Sequence, residues 1–237
     1  MKKLLVAIFI VMLSLSVCFA AEEETEIREF TSDEIGNKEE LQAVTKELGH
    51  ALSIPIMSSA DPLGDTGFSI ALEASSYELD EAAETLDYSN MFITRGHFIK
   101  GLPYNLDIGL GLSQVHESNI SSFGVELRWA PLKDDGATPA VGLRATHSKL
   151  GGVENLDLAT TTLGAEVSKS FAIVTPYAGV ELLSSTGEVI NEKWGRVTES
   201  SANMLLGCNL SLAMIDIALQ AEFAENAMYT AKFGVSF

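Results

Sequence analysis

Cysteine is nearly absent, basic residues are few, and no long apolar run follows the first twenty positions. The 237 residues include 2 cysteines, Cys18 and Cys208. Cys18 falls in the amino-terminal leader, so Cys208 is left alone and an intramolecular disulfide is excluded. Lys and Arg number 15 against 33 Asp and Glu, a net charge of −18. Nucleic-acid phosphates demand Lys and Arg, so this balance excludes a nucleic-acid partner. Beyond the leader there is no run of about eighteen apolar residues, which excludes a transmembrane helix. No Cys/His cluster has zinc spacing. No Gly-rich loop opens a helix in a phosphate-binding context, and no EF-hand pattern occurs. Neither a metal nor a cofactor is expected.

The leader itself is a secretory signal. Lys2 and Lys3 give a basic start, 4–17 is apolar apart from serines, and Cys18-Phe19-Ala20 offers small residues at the −3 and −1 positions. Cleavage is expected after Ala20. Lipidation at Cys18 stays open, although Val17 stands where a small residue is usual. A secreted chain that is 46% hydrophobic yet lacks a spanning helix fits a β-barrel.

Residues 21–65 read as an acidic periplasmic extension. Its first half, AEEETEIREFTSDEIGNKEE, has the composition of a solvated segment. Leu41, Val44, Leu48 and Ala51 recur at helical spacing, so a short amphipathic helix is expected over 39–53, ended by Pro55 and Pro62. The favoured placement is a periplasmic tail with a loosely docked helix. The alternative is a helix that docks at the barrel's periplasmic mouth or plugs it.

From residue 66 the pattern is all β. Ten strands are expected, near 66–77, 89–100, 104–114, 120–130, 138–148, 156–168, 174–184, 200–211, 215–223 and 227–237. Eight remain possible if one hairpin within 149–200 is a loop. Leu106, Ile108, Leu110 and Leu112 alternate with Asp107, Gly109, Gly111 and Ser113. Phe123, Val125, Leu127 and Trp129 alternate with Gly124, Glu126 and Arg128. The closing segment alternates Tyr229, Ala231, Phe233, Val235 and Phe237 with small or polar residues. Longer, charged connections fall at one end and short turns with Pro103, Pro131 and Asp134-Asp135-Gly136 at the other. Aromatics sort into two groups: Phe98, Tyr104, Trp129, Phe171, Tyr177 and Phe237 at the inner end, and Tyr77, Tyr88, Phe92, Phe223 and Tyr229 at the outer end.

Terminal strand, leader, repeated alternation and aromatic girdles together resemble the small outer-membrane β-barrel proteins of bacteria. The resemblance covers 66–237. It implies an all-β, closed antiparallel transmembrane barrel in the cell outer membrane, in contact with membrane lipid and lipopolysaccharide. It also implies that Tyr229, Phe233, Val235 and Phe237 are read by the barrel assembly machinery. It does not select an activity.

Alternation places Glu73, Arg95, His97, Asp107, Glu126, Arg128, Arg144, Glu166, Glu181, Gln220, Glu222 and Lys232 on the inward face. Buried charges must pair, and Asp107 with Arg128 and Glu73 with Lys232 are the expected partners. The inward glycines, Gly109, Gly111, Gly124, Gly142, Gly164, Gly179, Gly207 and Gly234, leave open a polar path for a small solute. They equally ease barrel curvature. His50 is expected on a solvated helix face, His97 in the buried network and His147 outward near the outer rim.

His116-Glu117-Ser118-Asn119 is similar to the H-x-S-N motif of outer-membrane lipid A deacylases. That likeness implies His116 as base and Ser118 as nucleophile, with no acidic orienter in place. The expected role is a non-enzymatic structural or narrow-channel barrel with exposed loops. A lipid A or phospholipid hydrolase using His116 and Ser118 is one alternative. An adhesin acting through loop 185–199, with Trp194 as anchor, is another.

Overall fold

The computed structural model describes residues 29–190 and 192–237. The secretory signal lies outside the described residues. Among these, ten antiparallel strands close into a barrel in which every strand pairs with its sequence neighbours and β1 pairs with β10. They are β1 (Phe68–Glu78), β2 (Asn90–Leu102), β3 (Leu106–Val115), β4 (Ser121–Leu132), β5 (Ala140–Gly151), β6 (Leu156–Ser168), β7 (Val174–Val189), β8 (Val197–Leu212), β9 (Ile215–Phe223) and β10 (Met228–Ser236). The ten-strand reading holds and the eight-strand one does not.

Alternation explains the closure. In β3 the odd-numbered positions from Asp107 to Val115 are buried, while Ile108, Leu110 and Leu112 are exposed. Leu112 is 63% exposed and Leu206 58%. Such apolar exteriors are stable only against hydrocarbon. No helix among the described residues is long and apolar enough to cross a membrane; this chain crosses with strands. The architecture is that of an outer-membrane β-barrel.

The barrel begins and ends at one rim, where Phe68 and Phe237 exchange backbone hydrogen bonds and stack with ring centroids 4.7 Å apart. The turns 103–105, 133–139, 169–173 and 213–214 share that rim. Connections 79–89, 116–120, 152–155, 190–196 and 224–227 share the opposite one, and the longest is among them. Short turns mark the periplasmic rim. Most strand limits fall within a few residues of expectation. The exception is the β7–β8 hairpin, whose ladder continues past 184 through Thr186↔Thr198 to Gly187↔Val197. The expected loop 185–199 therefore shrinks to 190–196, because 185–189 keeps the inside–outside alternation of a strand.

The amino-terminal helix exists, and its placement differs from the favoured reading. Helix α1 (Lys38–Ala51) is capped by Asn37, whose side chain accepts from the amides of Glu39 and Glu40. It lies inside the barrel against β6, β7 and β8, not as a tail on the periplasmic side. Leu41, Val44 and Leu48 are fully buried. The reason lies on both sides of the contact. At the outer third of the barrel the inward positions turn apolar: Met91, Ile93, Val115, Leu156, Leu158, Val197 and Met228 are all buried there with the helix and Phe30. Each large aliphatic side chain withdrawn from water contributes roughly 1.5–3 kcal/mol. The back of the helix is small, and Gly49 meets the wall so closely that a Cβ would overlap Ser185 Oγ. Gly187 in turn seats against Thr45.

Candidate functional site: the occupied lumen

Below α1 the chain runs without helix or strand from Leu52 to Leu63 along the barrel interior, then turns at the inner rim into β1. Residues 52–57 and Ala60 are buried. A segment outside helix and sheet leaves its N–H and C=O groups without ladder partners, and buried backbone groups demand partners. The wall supplies them from side chains. Ser122 Oγ donates to Leu52 O at 3.3 Å and Arg95 Nη2 to Ser53 O at 2.9 Å. Arg128 Nη2 donates to Ser59 O at 2.6 Å, and Ser168 Oγ accepts from Ala60 N at 3.0 Å. Asp107 Oδ1 accepts from Leu63 N at 3.1 Å. Tyr177 OH reaches Met57 Sδ at 3.9 Å.

The same side chains form a charged belt across the wall. Glu73 accepts from Arg95 Nη1 at 3.3 Å and lies 3.0 Å from His97 Nδ1. The other ring nitrogen of His97 lies 3.0 Å from Glu126 Oε2 but is not aligned for a hydrogen bond. Glu126 also accepts from Arg144 Nη2 at 2.8 Å. Arg128 sits among three carboxylates: Glu126 at 3.6 Å, Glu166 at 3.7 Å and Asp107 at 3.9 Å. Arg144 Nη1 lies 3.7 Å from Glu181. Asp107 and Arg128 are register partners, as are Glu73 and Lys232. Glu73 nonetheless spends its carboxylate on Arg95 and His97, and Lys232 makes no ion pair among the described residues. Its side chain borders the small space left in the belt, about 10 Å³, beside Ile56 and Met57. That is room for about one water molecule.

The inward glycines have a specific use. A Cβ on Gly124 would lie 2.7 Å from Ile54 Cδ1, and one on Gly111 3.2 Å from it. A Cβ on Gly142 would first meet Glu166, at 2.8 Å, and then Ala60 at 3.3 Å; one on Gly164 would meet Glu181 at 3.3 Å and Ile56 at 3.5 Å. Gly111 and Gly124 make room for Ile54, and Gly142 and Gly164 for belt glutamates as well as plug side chains.

At the outer end two groups that sequence reasoning missed fix the helix. His50 is buried, contrary to its expected solvated face. Its Nε2 lies 2.7 Å from Glu222 Oε1, which also accepts from Asn203 Nδ2 at 2.6 Å, and its ring meets Tyr77 edge-on at 5.0 Å. Glu47 accepts from the amides of Asp80, Glu81 and Ala82 at 3.1, 2.8 and 3.2 Å, which holds loop 79–89 against the helix. Lys46 pairs with Glu225. The sequence signal was present in the three-residue spacing of Glu47 and His50, which puts both on one helix face.

Other expected sites fare differently. His116 is exposed, packs edge-on to the outward ring of Phe92 at 6.2 Å and lies 3.3 Å from Glu117. Ser118 is buried and its Oγ accepts from Ile120 N at 3.1 Å. The two side chains are not brought together, because the β3–β4 turn intervenes and breaks the alternation that would pair them. Trp194 packs against the apolar cluster around α1. His147 faces outward beside Thr161. Tyr77 and Tyr177 point inward, out of the expected girdles, while Phe98, Tyr104, Trp129, Phe171, Phe92, Phe223 and Tyr229 are exposed. In the closing strand Tyr229 and Phe233 are exposed and Val235 is covered. No group of three or more metal-ligating side chains converges among the described residues.

No protein-family model matches the chain, and no curated protein does. Solved structures with a similar strand arrangement include an outer-membrane protein of Vibrio cholerae, OmpT with loop L8 deleted: 11% identity over 63% of this chain and 55% of that one, TM-score 0.35. The KdgM porin aligns at 6% identity over 71% of this chain and 99% of that one, TM-score 0.39. Neisserial surface protein A aligns at 12% identity over 72% of this chain and 97% of that one, TM-score 0.35.

Proposed function

We propose that this protein is a filled, non-conducting outer-membrane barrel, with a structural role and surface-exposed loops, whose lumen is occupied by its own residues 38–63. The observation that carries this reading is the wall-to-plug hydrogen bonding of 52–63, with a cavity of only about 10 Å³ between Ile56, Met57 and the charged belt. Water-filled porins keep an aqueous channel; a barrel of this size is filled by side chains, and here by a chain segment as well. A narrow-channel role and passage of a small solute lose their support with the space. The apolar exterior meets membrane lipid and lipopolysaccharide. Tyr229, Phe233, Val235 and Phe237 are proposed as the segment that the assembly machinery reads.

Planar-bilayer recording tests the reading. The complete protein gives no discrete conductance steps. A variant lacking 38–63, checked for its folded gel mobility, gives steps. Steady steps from the unaltered protein would overturn the proposal.

A further inference from the structure

The direction of the plug carries a consequence for topology. Followed backward from β1, the chain leaves the inner rim at 64–67, where Lys100 Nζ donates to Asp65 O at 2.9 Å and Asp134 N donates to Asp61 Oδ1 at 2.8 Å. It passes Ser168 and Tyr177 near the inner ends of β6 and β7, then Arg95 and Ser122 farther up. His50 then meets Glu222, near the outer end of β9, and Glu47 meets loop 79–89. Gln42 Nε2 donates to Glu199 at 2.9 Å near the start of β8. Last, Phe30 exchanges two hydrogen bonds with the side chain of Asn119 in loop 116–120: Phe30 N donates to Oδ1 at 2.9 Å and Phe30 O accepts from Nδ2 at 2.8 Å. The same Nδ2 donates to Gly152 O in loop 152–155 at 2.7 Å. Contacts progress from one rim to the other without reversal, and Phe30 is fully buried where they end. Thr31, Asp33 and Glu34 beside it are exposed.

We infer that the barrel carries its own amino-terminal segment through its lumen and holds it at the cell surface, so that the chain crosses the outer membrane once more than its ten strands imply. This rests on the filled-lumen reading above and on the short-turn rim being periplasmic. It replaces the acidic periplasmic tail with an acidic segment presented to the outside. Asn119 acts as the clasp: its carboxamide donates and accepts simultaneously, a geometry that a carboxylate, with no donor, cannot reproduce.

Labelling of intact cells decides the matter. In a Cys208→Ser background, Asp33→Cys is treated with a membrane-impermeant maleimide, with Glu154→Cys in loop 152–155 and Lys133→Cys in turn 133–139 as controls. The expected result is Asp33→Cys labelling to the same extent as Glu154→Cys, with Lys133→Cys labelling only after permeabilisation. Labelling of Asp33→Cys only after permeabilisation, together with labelling of Glu154→Cys on intact cells, would overturn the inference. The unsubstituted protein gives a second readout. A Glu-specific protease added to intact cells cuts within 29–40, as mass spectrometry of the barrel fragment shows; cutting there only after permeabilisation would contradict it. Failure of the filled-lumen reading is separable, because it appears as conductance of the unaltered protein.

Discussion

Arg128→Met is the most informative single substitution in the belt. Methionine keeps an unbranched stem of similar length, so packing changes little and the guanidinium is what is lost. Three carboxylates within 4 Å then lose a cation: Glu126, Glu166 and Asp107. Glu126 retains Arg144 at 2.8 Å, and Asp107 retains the Leu63 amide at 3.1 Å. Glu166 has no such reserve, since its second oxygen already lacks a hydrogen bond. Ser59 O loses its 2.6 Å donor, a charge-assisted bond worth about 1.5–3 kcal/mol. Removing one partner of a buried ion pair costs about 3–5 kcal/mol in all. Equilibrium unfolding in lipid vesicles, followed through tryptophan fluorescence, reads this directly. A loss of about 3–5 kcal/mol is expected, and adding Glu166→Gln should restore part of it. A loss below about 1 kcal/mol, with the fold intact, would refute the idea that Arg128 joins wall to plug.

Three further outcomes follow. Glu47→Ala removes the acceptor of three loop amides; loop 79–89 should become protease-sensitive on an otherwise folded barrel, with a stability loss of about 1–3 kcal/mol. Gly124→Ala forces its new methyl toward Ile54 and should destabilise by about 1–3 kcal/mol; in an Ile54→Ala background the same change should be nearly neutral, as comparison of unfolding midpoints would show. In turn 133–139 the Asp134 carboxyl is depressed to about 2 by hydrogen bonds from Lys169, Ser170 N and Gly136 N. A depressed carboxyl stabilises above its ordinary pKa and ceases to as pH falls through the depressed value. The turn should therefore hold at neutral pH and loosen as pH falls from about 4 toward 2, seen in the amide signal of Ser170 and absent in Asp134→Asn.

Strand alternation is a local property, and for that reason the barrel was legible. Leu106 to Ser113 declare their two faces with no knowledge of the rest of the chain. So was helix α1, from Leu41, Val44, Leu48 and Ala51. Its location was harder, because it depends on what faces what. The acidic run before it points to water, whereas Met91, Ile93, Val115 and Leu158 point inward and need an apolar occupant at the outer third of the barrel. Inward glycines carried the same message at mid-barrel, but curvature explained them equally well until Ile54 and Ile56 were seen against them. Residues 52–63 have no periodicity at all. A segment held by donors and acceptors on the side chains of five strands leaves no repeat of its own to read. Arg128 was expected to pair with Asp107 alone, yet it also serves a plug carbonyl, as Arg95 does. His116 and Ser118 looked paired only if strand alternation continued through 116–118, where the structure turns.

The most direct test of the occupied lumen is a cross-link between plug and wall. An added Cβ at Gly142 lies 3.3 Å from the Cβ of Ala60, a little under the roughly 3.5–4.5 Å usual across a disulfide, once the Glu166 side chain 2.8 Å away has shifted. In the Cys208→Ser background, Ala60→Cys with Gly142→Cys should oxidise to an internal disulfide in the membrane-inserted protein, visible as a mobility change on non-reducing gels that reductant reverses. Two free thiols in a folded, heat-modifiable barrel would contradict the claim that residues 52–63 fill the barrel.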